Sequence, residues 1–454
     1  MEEYIKRLLE QVRFRKAHKA IEDEIRVHME DQIDANMAEG MDRDVAEKRA
    51  VEDMGDPVEV GVAMDSVHRP QMAWGVVIIA VVIGIASILV HELIVKDAAQ
   101  GQDLALHALG SYIFYLKVLM GLGAMVLVYL LDYTRIAKYA KVIAVVMFVM
   151  LTAGVFTIRL NGAITYLRFA GVNVLASAMV MLYVPLYGAI LYKYRGGGAF
   201  AFIKALCWMV VPVMIVVSWP QLMVAVVLVL TMTVQLTIAV AKGWYKIPVK
   251  RTIAGLWACV TVLPVTALLL AYKGGLLADY QIKRIRGILY MDYDASYVTR
   301  LVRSYSDVNL VGGSGQEVLG NLPNCNSEFL LTYLANKLGL VAVISLVASV
   351  FAVIIMGCLF TVRSKNQLGL VMGVGCMNVL LVNGLVNMCE NMGILPYTSS
   401  FMPFFSAGAS NIVLAYIFLG VILSIYKYRD AYPQHVDVKI RGRIKIGNAE
   451  IVKN

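Results

Sequence analysis

The segment Leu322-Pro323-Asn324-Cys325-Asn326-Ser327-Glu328-Phe329 ends a long polar loop and puts a carboxylate where an apolar run begins. An ionisable group at the edge of hydrocarbon is costly to keep, which makes Glu328 a candidate for chemistry; the competing reading is a solvated helix cap. Lys283, Arg284, Arg286, Arg300 and Arg303 precede it in the same loop. If a helix begins near Ser327, then Glu328, Thr332 and Asn336 share one face. Asn383 and Asn387, continuing to Glu390 or Asn391, draw a second polar line farther on. Such stripes act either as interhelical hydrogen-bond glue or as walls of a common lipid-lined cavity, with Ser406 and Ser410 at its mouth.

The elements that must position these groups are set by composition. The chain has 454 residues, 59% hydrophobic and only 16% charged, which specifies an all-α, multi-pass membrane protein. Ten apolar segments approach the roughly 20 residues a helical span needs: about 73–94, 112–131, 141–158, 170–192, 203–219, 221–241, 252–272, 338–362, 368–388 and 409–427. Lysine and arginine follow every even-numbered span, as at Arg135, Lys193, Lys242, Arg363 and Lys427, so both termini are expected in the cytoplasm. The net charge of +9 is then a topological signal rather than a sign of nucleic-acid binding. Segment 273–337 becomes a large extracellular loop between spans seven and eight. Its cations lie on the translocated side, where topology does not call for them.

Residues 1–72 are a different material: highly charged, with Ile25, Met29 and Ile33 at helical spacing and no run able to span a bilayer. They read as a small cytosolic helical module. Gly40 and Asp42, then Gly55-Asp56-Pro57, are helix-end and helix-start signals. The module is followed by a membrane domain over 73–428 and a basic cytosolic tail over 429–454. The acidic, polar start is not a cleavable signal peptide. Of six cysteines, Cys207, Cys259, Cys358 and Cys376 fall in spans; Cys325 and Cys389 fall outside them, and their pairing stays open. Six scattered histidines and the lack of HExxH or CxxC spacing give no sequence-encoded metal site.

From Pro396 to Asn411 the sequence reads Pro-Tyr-Thr-Ser-Ser-Phe-Met-Pro-Phe-Phe-Ser-Ala-Gly-Ala-Ser-Asn. This resembles, in ungapped register, the signature before the last helix of the SEDS family (shape, elongation, division and sporulation), which includes FtsW, RodA and SpoVE. Pro396, Thr398, Pro403, Phe404, Ser406, Gly408 and Ser410 fall on that pattern, with Asn387 and Gly393 upstream. The Leu322–Phe329 segment and Leu338-Gly339 resemble the family's Leu-Pro-Glu-x-x-Thr-Asp-Phe element and the Leu-Gly after it. The first half departs: Ile164, Thr165 and Tyr166 replace the basic and aromatic residues expected after Asn161-Gly162-Ala163, and Trp219-Pro220-Gln221-Leu222 replaces Pro-Asp-Leu-Gly. Within 1–72, the pattern ending in Met54-Gly55-Asp56-Pro57-Val58-Glu59-Val60 resembles bacterial permease-prefix modules, which implies a regulatory or docking role and a cytosolic regulator as partner.

The resemblance implies a peptidoglycan glycosyltransferase of the bacterial cytoplasmic membrane that polymerises lipid II on its outer face, with a class B penicillin-binding protein as partner. Glu328 stands where the family has an essential Asp, which implies a general base or a carboxylate linked to a divalent cation, Mg or Mn. Lys283, Arg284, Arg286, Arg300 and Arg303 become a pyrophosphate clamp. Gln281, Thr332, Asn387, Ser406 and Ser410 become further substrate contacts. A non-catalytic scaffold that binds lipid II, and a flippase for a lipid-linked sugar, are the alternatives; no inverted repeat supports the flippase.

Overall fold

The structure, a computed structural model, describes residues 1–15, 17–98, 104–153, 157–160, 163–169, 171–219, 221–275, 279, 282, 297–316, 318, 321–398, 400–432, 443–446 and 449–452. The chain opens with four helices, α1 (Glu2–Gln11), α2 (His18–Ala38), α3 (Arg43–Asp53) and α4 (Pro57–His68). Ile21, Ile25 and Met29 of α2 close over Tyr4, Ile5 and Leu8 of α1, giving this bundle its own apolar core. Asp56 caps α4 by accepting from the Val58 N–H, with Pro57 in the first turn, where its missing N–H costs nothing.

The membrane helices follow as α5 (Trp74–Ala98), α6 (Leu104–Leu130), α7 (Tyr133–Thr152), α8 (Ala176–Met181), α9 (Tyr183–Lys193), α10 (Ala199–Val217), α11 (Leu222–Ala241) and α12 (Val249–Lys273). Then come α13 (Tyr297–Ser304), α14 (Leu330–Leu338), α15 (Leu340–Val362), α16 (Gln367–Asn391) and α17 (Ala409–Lys427). Among the described residues nine helices are long and apolar enough to cross a membrane, α8 and α9 counting as one. The tenth expected span is α7, which keeps the length of 20 residues but carries Arg135, Lys138 and Lys141 in its first turns.

Three boundaries differ from expectation. The third span begins at Tyr133 rather than 141, because Asp132 caps it, accepting from the Thr134 N–H at 2.9 Å. It is followed by strands β1 (Thr157–Leu160), β2 (Ala163–Phe169) and β3 (Val172–Leu175), an antiparallel sheet in that order, so the fourth span starts at Ala176 and not 170. Span eight keeps its expected place as one helix, α15 starting at Leu340 against 338, but the helix expected to begin near Ser327 does not run into it. Gly339 has φ +93 and ψ 173, a region open essentially to glycine, and it separates α14 from α15. The freed N–H groups of Leu340 and Val341 bond the carbonyls of Asn309 and Leu310 at 3.0 and 3.1 Å. Glu328 therefore lies in the turn before α14 and not on the spanning helix. Two further strands, β4 (Arg443–Ile446) and β5 (Ala449–Val452), pair antiparallel in the tail.

α17 packs along α6, and α16 sits between α9, α11 and α15. At one end of the helices the N-terminal bundle docks. Phe14 stacks on Tyr428 with centroids 5.6 Å apart and meets Tyr432 edge-on at 6.4 Å, while the Gln71 N–H bonds the Lys427 carbonyl at 3.1 Å. At the other end, Asp97 at the close of α5 pairs with Lys337 Nζ at 2.7 Å and accepts from the Tyr333 hydroxyl at 2.7 Å, pinning α14.

Two outcomes follow from this frame. Gly339→Ala adds a Cβ that meets the Leu310 carbonyl at 2.8 Å and loses the glycine conformation, so thermal unfolding should report a loss of about 1–3 kcal/mol. Phe14→Ala removes the aromatic stack, worth about 0.5–1.5 kcal/mol, and should speed hydrogen exchange and proteolysis across residues 1–68 while exchange in α9 and α16 stays unchanged.

Candidate functional site

Residues 326–328 run beneath the loop that joins α16 to α17, and three successive carbonyls are taken by that loop and by α16. The Ala407 N–H bonds Asn326 O at 2.9 Å, the Ser406 hydroxyl bonds Ser327 O at 3.0 Å, and the amides of Asn387 and Asn391 both bond Glu328 O at 2.8 Å. Asn391 also accepts from the N–H and hydroxyl of Thr332, each at 2.9 Å, joining the start of α14 to the end of α16. The loop is itself held. Buried Glu390 accepts from the Thr398 N–H and the Ser400 hydroxyl, Met402 N–H donates to Ser406 Oγ at 2.8 Å, and Ser87 of α5 donates to Phe404 O at 2.9 Å. Phe404 takes φ +69, unusual for a bulky side chain and sustained by burial against Tyr416 at 5.3 Å.

The backbone of Glu328 is thus fixed and its carboxylate is left over. The residue is half-buried, and among the described residues no cation pairs with it. Burial pushes its pKa above the ordinary glutamate value, partly offset by bonds from its own N–H and the Ser327 hydroxyl. A carboxylate so placed is a better proton acceptor than a solvated one, provided a substrate hydroxyl reaches it.

The expected partners divide. Glu328, Thr332, Asn387 and Ser406 come together, but Asn387 and Ser406 hold backbone carbonyls and Thr332 bonds the Asn391 side chain, as interhelical glue does. Ser410 accepts from the Leu175 N–H at 2.9 Å and anchors the β-sheet to α17. Arg303 donates from Nε and Nη2 to Gly393 O at 3.0 and 2.8 Å, its stem lying against a glycine with φ +65 whose Cβ would sit 2.7 Å from Arg303 Cγ. Arg300 is exposed. Gln281, Lys283, Arg284 and Arg286 lie outside the described residues. Cys325 and Cys389 are free thiols; Cys325 donates to Leu322 O at 2.9 Å, and burial pushes its pKa up to about 12.

One cation was missed in the sequence. Lys117, half-way along α6, donates Nζ to Ala407 O at 2.9 Å, on the same loop that holds residues 326–328. The signal was an ionisable residue inside an apolar span. Asp97, the anchor of Lys337, was missed as well; it lies at the close of α5, beyond the expected span 73–94.

A resident divalent cation wants about six oxygen ligands. Both oxygens of Glu390 are engaged, which leaves Glu328, and among the described residues no three His, Cys, Asp or Glu gather as a ligand set. The described residues do not form a cation cage.

The family described as "Cell cycle protein", FtsW, RodA and SpoVE, matches residues 70–431. A probable peptidoglycan glycosyltransferase FtsW of Borreliella burgdorferi is 26% identical over 175 residues, 37% of this chain and 47% of that one. The peptidoglycan glycosyltransferase MrdB of Escherichia coli K12 is 30% identical over 164 residues, 34% of this chain and 44% of that one. The chain thus spans under half the length of these two curated relatives. Among solved structures, a chain of a peptidoglycan synthase complex that coordinates polymerization and crosslinking superposes with a TM-score of 0.63 at 18% identity, over 79% of this chain and 98% of that one. Rod shape determining protein RodA of Thermus thermophilus superposes with a TM-score of 0.54 at 17% identity, over the same shares. These likenesses give the same fold. With the family match running from the first membrane helix through the last, the chain belongs to the FtsW, RodA and SpoVE family.

Proposed function

We propose that this multi-pass membrane protein is a peptidoglycan glycosyltransferase that polymerises lipid II on the outer face of the bacterial cytoplasmic membrane, with Glu328 as general base. The observation that carries the reading is the half-buried Glu328 carboxylate, unpaired among the described residues, on a backbone held at three successive carbonyls. In the step, an acceptor sugar hydroxyl oxygen forms a bond to the anomeric carbon of the donor, and the bond from that carbon to the pyrophosphate oxygen breaks. The hydroxyl proton passes to Glu328, and the polyprenyl pyrophosphate leaves with the electron pair. Cations favour that leaving charge. Lys117 and Arg300 are candidates, together with Lys283, Arg284 and Arg286.

The orientation that suits this chemistry has both termini in the cytoplasm. The cation-rich helix ends, from Arg135 to Lys427, share the side where the N-terminal bundle docks, and Glu328 lies at the opposite ends. A class B penicillin-binding protein would supply crosslinking, and the peptidoglycan synthase complex that shares the fold supports such a partner. One observation favours a second reading, a scaffold that binds lipid II without polymerising it: Arg303, Thr332 and Asn387 are engaged by backbone or by each other's neighbours rather than presented to a substrate.

Labelled lipid II given to the purified protein, with and without its partner and with Mg or Mn, decides between them. Glu328→Ala should lower polymer formation by about 100- to 10,000-fold with lipid II binding retained. Glu328→Asp withdraws the carboxylate by about 1.5 Å and should keep activity reduced by up to about 100-fold. Polymer at the parent rate from Glu328→Ala removes the base assignment; binding without polymer under every condition selects the scaffold.

The pH profile gives an independent check. The base works only when ionised, so kcat/KM should fall as pH drops through its pKa, and burial places that acid limb above the ordinary glutamate value of about 4.3. The residual rate of Glu328→Ala should lack this limb.

A further inference from the structure

Two lysines meet where α7 passes α9, at the helix ends near the N-terminal bundle and away from Glu328. Lys193, in the last turn of α9, donates Nζ to Lys138 O of α7 at 2.7 Å. Lys141, one turn along α7, holds its Nζ 4.1 Å from the centre of the Tyr194 ring, near enough that its charge acts on Lys193. Lys141 and Lys193 are half-buried. Neither has an acidic partner: the ion pairs among the described residues involve the N-terminal amine, Arg7, Arg13, Arg26, Lys337 and Arg429. Asp132, the acid that begins α7, is engaged with Thr134 and with the Tyr432 hydroxyl.

Topology explains why cations lie at this end of the helices but not why they lie together. Lysine stems ordinarily carry their charges apart into water. Like charges gathered half out of water raise the energy of the empty arrangement, and a single anion bonded to both ammonium groups relieves it. The surroundings indicate where that anion comes from. Lys141, Val145 and Val149 stand at i, i+4 and i+8 on one face of α7, and both valines are exposed, at 49% and 59%. Beside them the Trp208 indole, midway along α10, donates to the Tyr194 hydroxyl at 3.0 Å and so holds the ring that Lys141 faces. A headgroup at the lysines would thus continue into a wall suited to acyl chains.

We propose that Lys141 and Lys193, with Tyr194, bind the phosphate of an acidic phospholipid whose chains run along Val145 and Val149. The test uses the full-length protein taken from vesicles doped with phosphatidylglycerol or with phosphatidylcholine alone, read by native mass spectrometry and by thermal unfolding. The expected result is retention of phosphatidylglycerol at least ~10-fold stronger than of phosphatidylcholine, with a rise in unfolding temperature. Both should be lost in Lys141→Gln/Lys193→Gln and kept in Lys246→Gln/Lys250→Gln, which removes two exposed cations elsewhere. Equal loss in the two double variants overturns the site in favour of diffuse charge attraction. Competition by millimolar inorganic phosphate overturns the lipid as its source. If the first variant does not fold, the parent protein alone decides: no preference for phosphatidylglycerol over phosphatidylcholine overturns the proposal.

Discussion

Backbone carbonyls withdrawn from water must find donors, and the site depends on how this demand is met over residues 326–328. Leaving one unmet costs about 1–3 kcal/mol, so three in succession hold the segment firmly. The donors come from two places: the loop after α16 supplies the Ser406 hydroxyl and the Ala407 N–H, and α16 supplies Asn387 and Asn391. That loop in turn needs Glu390 to hold Thr398 and Ser400, and Ser87 to hold Phe404. Among its described residues, the conspicuous 396–411 stretch thus supplies part of a clamp on the backbone around Glu328.

This division of labour decides what could be read from the amino acids alone. Helices announce themselves by long apolar runs, and cations gather at one set of their ends, so span order was legible. The 157–175 sheet was not, because Ile158, Ile164, Leu167, Val172 and Val174 belong to short apolar stretches that suit a strand or a buried helix equally. Nor was the break at Gly339, since a lone glycine inside an apolar run does not reveal its φ. The polar stripes of Thr332 and Asn387 were visible, but whether an amide meets a ligand or a carbonyl depends on what lies opposite. The tertiary fold supplies that answer: the Glu328 carbonyl. Lys117 carries its own signal, an ionisable residue within an apolar span.

The N-terminal bundle has no counterpart in the family match, which begins at residue 70, yet it is not an independent appendage. Phe14 rests on Tyr428 and Tyr432, just past the end of α17, and Tyr432 reaches the Asp132 carboxylate that caps α7. The other end of α17 begins at Ala409, directly after the clamp loop. One helix of 19 residues therefore joins the docking surface to the loop that holds Glu328. Its packing against α6 makes it a stiff connection, with Tyr416 bonding the Ala80 carbonyl of α5 at 3.1 Å about midway.

Stiffness alone does not make a relay, because coupling between two sites needs an element with two arrangements that both sites bias. The two ends of α17 differ in that respect. At the clamp, hydrogen bonds to carbonyls are directional, and each lost one leaves a buried group unmet, so the arrangement resists small shifts. At the bundle, Phe14 is held by ring contacts that tolerate a range of angles, from the near-parallel 24° against Tyr428 to 65° against Tyr432. A change in the bundle would be absorbed first in that aromatic stack. It would reach Glu328 only if it moved α17 as a body, against the packing of α6 along its length.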